Sequence, residues 1–204
     1  MILIGRYHSP FTRRVAIAMK LYGLAYEHRS LSPWAASEDV ARATPLIRVP
    51  ALIWDDGALL VDSAAILQAL DAHVGPARAL LPKASKDYRH ALHVSALACG
   101  FTDKAIAAIY ERNFHTEPNP ELLARCQSQV VGALDALESD RAARTAPFWF
   151  GDALTHADIA ATCMLTFVRA QNPFQIDFSA WPELEAHRAR CEDTPEFRDT
   201  FPVY

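Results

Sequence analysis

The pattern of this chain changes once, near residue 75, and that change constrains the fold more than any other feature. Before it, short apolar runs of strand character alternate with helix-period segments. After it, the strand signals stop. Residues 1–6 are an apolar, strand-like opening. Ser9-Pro10 then marks a helix start, with serine as N-cap and proline at the first helical position. Val15, Ala18, Met19 and Tyr22 follow at helical spacing, and Gly23 closes the segment. Residues 25–31 read as a second strand and 33–43 as a weaker helix. Residues 49–54 and 58–61 flank Asp55-Asp56-Gly57, a hairpin signal. Asp62-Ser63 opens an apolar helix that Gly75-Pro76 ends.

The expected order is therefore βαβαββα. A helical crossover joins parallel strands, whereas a hairpin adds antiparallel ones, so the sheet should be mixed. Three helices suffice to cover both its faces. Pro50, near the start of the third strand, lacks a ladder donor, which only an edge, a bulge or a special peptide geometry tolerates. Residues 76–83 read as a linker. Beyond it, helices are expected over 84–115, 119–140, 155–171 and 182–192. The expectation is an α/β domain over 1–75 and an all-α domain over 84–204.

One signal in the second part is strong. Thr155-His156-Ala157-Asp158 has the form of a capping box, with Leu154 and Ile159 placed as a hydrophobic staple. The segment that follows is apolar on almost every side, so it should be a central core helix. Asp158 thus reads as a cap in preference to a catalytic carboxylate.

Several function classes lack support. The seven glycines are never closer than 18 residues apart, so neither GxGxxG nor GxxxxGK occurs. The four cysteines, Cys99, Cys126, Cys163 and Cys191, form no CxxC and no dense disulfide framework. They read as buried structural thiols of a cytoplasmic protein. His90 and His93 are three apart with no third ligand indicated, so no metal site is expected. The net charge of −4 is spread over both halves and offers no basic surface for nucleic acid. The longest candidate stretch, Ile159 to Val168, carries Thr162 and Thr166 and falls short of a membrane span, and neither a membrane partner nor a secretory signal is expected.

Three segments together resemble the cytosolic glutathione transferases. Tyr7-His8-Ser9-Pro10-Phe11-Thr12-Arg13-Arg14-Val15 resembles the opening of the serine-type classes. Arg48-Val49-Pro50-Ala51-Leu52, followed by Asp62-Ser63, is similar to the cis-proline and glutamyl-binding segments. Gly151-Asp152-Ala153-Leu154-Thr155-His156-Ala157-Asp158 resembles the folding motif of the helical domain. The motifs occur in the family's order and span essentially the whole chain. The resemblance implies a thioredoxin-like N-terminal domain followed by an all-helical C-terminal domain, usually in a homodimer. It also implies glutathione as co-substrate and a hydrophobic electrophile as its partner in reaction.

Glutathione chemistry requires a thiolate, and a free thiol has a pKa of about 8.5. Lowering it by two units requires about 2.7 kcal/mol of preferential stabilisation of the anion. A hydroxyl hydrogen bond and a helix N-terminus can supply energy of that order. By spacing alone Ser9 is an ordinary N-cap. By resemblance it is the thiolate-stabilising residue, with Thr12 and Tyr7 as other hydroxyls for the role. Arg13 either raises the local positive potential or is a solvated helix residue. The resemblance implies a cis Val49–Pro50 bond, with the backbone of Val49 pairing with the cysteinyl backbone of glutathione. It implies that Ser63 and the helix N-terminus receive the γ-glutamyl carboxylate while Asp62 pairs with the ammonium; by position alone the two residues merely cap the helix. Phe11 joins this binding set, and Arg48 is a candidate for the glycyl carboxylate.

The chain departs from the family at two places. Asp62 stands where glutamate is usual, and the stretch Ala43-Thr44-Pro45-Leu46-Ile47-Arg48 replaces an Asn-Pro segment with an intervening glycine. Phe11, Trp34, Phe101, Ile106, Tyr110 and Phe174 are apolar candidates for an electrophile pocket, each also readable as plain core. Peroxide reduction, double-bond isomerisation and a non-catalytic binding module are the alternatives to glutathione transfer.

Overall fold

A computed structural model describes residues 1–203. Two compact units emerge: residues 1–80 together with the segment from Glu192 onward, and residues 81–191. The reading of 84–204 as one helical domain differs from this division in its last residues, which pack with the first unit.

The first unit carries β1 (Ile2–Ile4), α1 (Pro10–Leu21), β2 (Glu27–Arg29), α2 (Ser37–Ala43), β3 (Ala51–Ile53), β4 (Leu59–Leu60) and α3 (Ser63–Val74). The order is the βαβαββα of the sequence. The strands are shorter than their apolar runs, and α2 starts at Ser37, residues 33–36 being turns. The sheet order is β2-β1-β3-β4. β1 runs parallel to β2 and antiparallel to β3, and β4 returns antiparallel to β3. Leu3 and Leu52 project from the sheet into a core with Val15, Ala18, Met19 and Tyr22 of α1 and Ile66, Leu67 and Leu70 of α3. The Tyr22 hydroxyl donates to Asp71 and ties the end of α1 to α3.

Helical spacing predicts one buried face for α1. Instead every residue from Thr12 to Met19 is buried. The second face is covered by the returning C-terminal segment, which contains α8 (Pro195–Arg198). Arg13, 1% exposed, donates to both carboxylate oxygens of Glu192 at 2.7 and 2.5 Å, and to the carbonyls of Phe197 at 3.0 Å and Thr200 at 3.1 Å. Its guanidinium also lies over the rings of Phe197 and Phe201. Arg13 is therefore neither solvated nor a free positive charge; its charge is used in holding the tail.

The second unit is built on α4 (Ser85–Phe114), α5 (Pro120–Ala142), α6 (His156–Gln171) and α7 (Pro182–Glu192), the last of which ends at the boundary between the units. α4 packs against both α5 and α6. α6 is buried along residues 156–168, as its apolar sequence requires. The capping box at its start is formed. Asp158, fully buried, accepts from the N–H of Thr155 at 2.8 Å, the Thr155 hydroxyl at 2.6 Å and the N–H of Trp149 at 2.7 Å. This fixes the preceding loop as well as the helix. Burial pushes the Asp158 pKa up against these hydrogen bonds.

By length and mean hydropathy alone, α4 could cross a membrane. No single apolar run reveals this, because its apolar residues are interleaved with polar ones. Its buried residues, among them Ala91, Val94, Ala98, Phe101, Ala105 and Ala108, recur at helical spacing.

Candidate functional site

Strand register brings the sequence-predicted residues to one end of the sheet in the first unit. Ile4, the last residue of β1, stands opposite Ala51, the first of β3. Leu60, the last of β4, pairs with Leu52. The loop into α1, the Val49–Pro50 segment and the start of α3 must therefore leave the sheet at the same end.

Gly5 is where two of these segments meet. Its φ of +133° disfavours any L side chain. A Cβ there would overlap Thr12 Oγ1 and lie 2.9 Å from Val49 Cβ. The first turn of α1 and the residue before Pro50 thus close on the bare Gly5 backbone. The Val49–Pro50 peptide is cis, as the resemblance implied.

Ser9 is the N-cap of α1, half-buried, and its Oγ accepts from the Thr12 N–H at 3.4 Å. A hydroxyl that accepts from the helix keeps its own proton to donate outward. The N-terminus of α1 contributes its partial positive charge at the same place. The other two hydroxyls considered are placed differently. Tyr7 OH is 2.9 Å from Tyr26 OH, and burial followed by that hydrogen bond raises the Tyr26 phenol pKa. Thr12 is fully buried against Gly5. His8, next to Ser9, has its imidazole pKa lowered, first by partial burial and then by Arg6.

At the third segment Asp62 is the N-cap of α3, its Oδ1 accepting from Ala64 N at 2.9 Å and Ala65 N at 3.4 Å. Its side chain is exposed. Ser63 behind it is 2% exposed, and its Oγ accepts from Arg14 at 2.6 Å. Arg14 is itself buried and lies over the Phe11 ring, 5.9 Å from its centroid. The hydrogen bond joins α1 to the start of α3. With a lone pair committed to Arg14, the Ser63 O–H must point elsewhere, as required of a donor to an anion. The sequence reading did not find Arg14. Its signal was there, since Arg14 is four residues before Ala18 and so on the buried stripe of α1.

Arg48 is exposed, following Ile47, whose φ is +48°. Trp34 is exposed and Phe11 half-buried in the same unit. In the second unit Phe101 belongs to the core, Ile106 and Phe174 are half-buried, and Tyr110 is exposed. His90 there pairs with Asp140 at 3.0 Å, and Asp140 also accepts from Trp149 Nε1 at 2.6 Å and from Arg144. This imidazole is thus engaged in linking α4, α5 and the loop before α6.

A mixed four-stranded sheet with a capped helix, a cis-proline and a second helix N-terminus at one end, followed in sequence by a helical unit, defines the glutathione transferase-like class. Comparison with known proteins makes the assignment specific. Residues 3–78 match the family model for the glutathione S-transferase N-terminal domain, and residues 120–190 match that for the C-terminal domain. The "Probable glutathione S-transferase BZ2" of Zea mays is 31% identical, over 99% of this chain and 90% of its own length. The maleylpyruvate isomerase of a Ralstonia species is 29% identical, over 100% and 97%. The structure of a glutathione S-transferase from Methylobacillus flagellatus KT with glutathione bound superposes with a TM-score of 0.89 at 27% identity, covering 99% of each chain. This chain belongs to the glutathione S-transferase family.

Proposed function

We propose that this protein binds glutathione in its first unit, stabilises the thiolate with the Ser9 hydroxyl, and transfers glutathione to a hydrophobic electrophile. The observation that carries the reading is the state of Ser9. It caps α1, accepts from Thr12 N–H and retains its proton for a sulfur, while the Tyr7 hydroxyl is held by Tyr26. The glutathione-bound relative, similar over its full length, supports the ligand. The backbone of Val49 before the cis Pro50 would pair with the cysteinyl group. The start of α3, with Ser63 Oγ accepting from Arg14 and its O–H left to donate, would take the γ-glutamyl carboxylate, and the exposed Asp62 its ammonium. Phe11 and Arg48 would complete the binding set.

In the reaction the sulfur attacks an electrophilic carbon, forming a C–S bond with loss of a leaving group or addition across a double bond. The protein supplies orientation and electrostatic preorganisation. Reversible thiolate addition to a cis double bond, rotation and elimination is the second reading, favoured by the full-length similarity to a maleylpyruvate isomerase. From family membership we also infer a homodimer in the cytoplasm.

The test is the ultraviolet thiolate band of bound glutathione, titrated against pH in wild type and in Ser9→Ala. The wild-type midpoint should lie about two units below the free thiol's value of about 8.5 and return toward it in the variant. Turnover of a generic aromatic electrophile should fall more than about tenfold, which is at least about 1.4 kcal/mol of transition-state stabilisation. Equal bands in the two proteins would remove Ser9 from the mechanism. Absence of glutathione binding would favour a non-catalytic module.

A further inference from the structure

The loop that presents Ser9 is short, and one side chain outside it grips it twice. His28 lies on the edge strand β2, half-buried. Its Nε2 is 2.7 Å from the Gly5 carbonyl oxygen. A carbonyl can only accept, so Nε2 carries the proton and donates. The same imidazole stacks on the Tyr7 ring, with centroids 4.1 Å apart and planes 7° from parallel. Gly5 and Tyr7 are the first and third of the four residues between β1 and the N-cap Ser9.

The rest of the loop depends on these two points. The Gly5 N–H donates to Arg29 O at 2.9 Å, so with His28 both backbone polar groups of Gly5, in the peptides on either side of it, are fixed to β2. Tyr7 is held at its far end by Tyr26, the residue before β2. Ser9 N–H then donates to Arg6 O at 3.0 Å, closing a turn that carries the register of the clamp directly to Ser9. The helix behind cannot replace this. Capping of α1 fixes Ser9 relative to Thr12, but not the direction from which the chain enters.

We propose that His28 is a positioning residue: by holding the Gly5 carbonyl and the Tyr7 ring it fixes the loop from which the Ser9 hydroxyl reaches the glutathione sulfur. This rests on the reading of Ser9 given above. His28 touches neither glutathione nor the reacting atoms; it acts through the loop. The hydrogen bond is the determining contact, because it fixes a peptide plane, whereas the stack allows sliding.

Two substitutions separate the contacts. His28→Phe keeps a ring for Tyr7 and removes the donor. His28→Gln places an amide N–H near the position of Nε2 and removes the ring. Each is titrated with glutathione itself, reading the dissociation constant and the pH midpoint of the thiolate band. The expected result for His28→Phe is a midpoint raised by about one unit, with glutathione affinity changed less than about threefold, because most of the groups proposed to bind the peptide, Arg48, Val49, Asp62 and Ser63, lie outside this loop. His28→Gln should restore at least half of the shift. A general loss of structure would instead weaken binding and thiolate formation together, in both variants, and would overturn the proposal. So would wild-type midpoints in both. A wild type that binds glutathione without a thiolate band would overturn the Ser9 reading and this one with it. A wild-type band that neither variant moves would overturn this one alone.

Discussion

Arg13→Met removes a guanidinium and leaves most of the apolar stem in place. In the native protein that guanidinium is 1% exposed and makes a two-pronged pair with Glu192, whose side chain is 10% exposed. The substitution strands a nearly buried carboxylate and removes the donors to the carbonyls of Phe197 and Thr200. Removing one partner of a buried ion pair costs about 3–5 kcal/mol, because the remaining charge stays desolvated without compensation. Loss of the contacts to the Phe197 and Phe201 rings adds about 0.5–1 kcal/mol. For a chain of this size each kcal/mol lowers Tm by about 2–4 °C, so a fall of about 10 °C is expected. Urea unfolding followed by circular dichroism measures the loss directly, and hydrogen exchange of the α1 amides places it in the first unit. The double variant Arg13→Met with Glu192→Met discriminates further. It leaves no buried charge, so it should be more stable than Arg13→Met alone. A loss under about 1 kcal/mol for Arg13→Met, or strictly additive single effects, would refute the view that this pair holds the C-terminal segment against α1.

Gly5→Ala places a Cβ against Thr12 Oγ1 and Val49 Cβ in a backbone conformation that alanine disfavours; a destabilisation of about 1–3 kcal/mol is expected, and urea midpoints matching wild type would contradict the packing described. His187 gives a pH prediction. Burial, followed by the charges of Arg141 and Arg190, pushes its pKa down to about 3, whereas in the unfolded chain it is about 6.5. Between those values the unfolded state binds more protons, so stability is fully present above pH 6.5 and falls as pH drops toward 3, by up to about 1.4 kcal/mol per pH unit. Unfolding measured from pH 7 to 4 should show a steeper loss of stability in wild type than in His187→Gln; parallel curves would mean that His187 takes up its proton in the fold as it does in the unfolded chain.

The order of elements was legible because each depends on neighbours in sequence. Apolar spacing, Ser9-Pro10, Gly23 and the Thr155 capping box act within a turn or two, and α6 and α7 lie within a residue of expectation. The cis Val49–Pro50 bond was legible only through a family motif. The shortness of the strands was not legible, since an apolar run records burial and not pairing.

Sequence alone thus determined the mixed βαβαββα unit, the helical unit after it, and which segments carry serine, proline and acid at their starts. Only tertiary structure decided how the remaining side chains are used. Arg13 and Arg14 are adjacent, yet point to opposite partners, Glu192 at the far end of the chain and Ser63 at the head of α3. His28, unremarkable on a short strand, reaches the Gly5 carbonyl because parallel pairing sets Ile4 beside Arg29. The physical reason is common to all three. Helix caps and periodicity are local free energies written in consecutive residues, whereas a buried charge or imidazole takes its partner from whatever the fold brings within hydrogen-bonding distance.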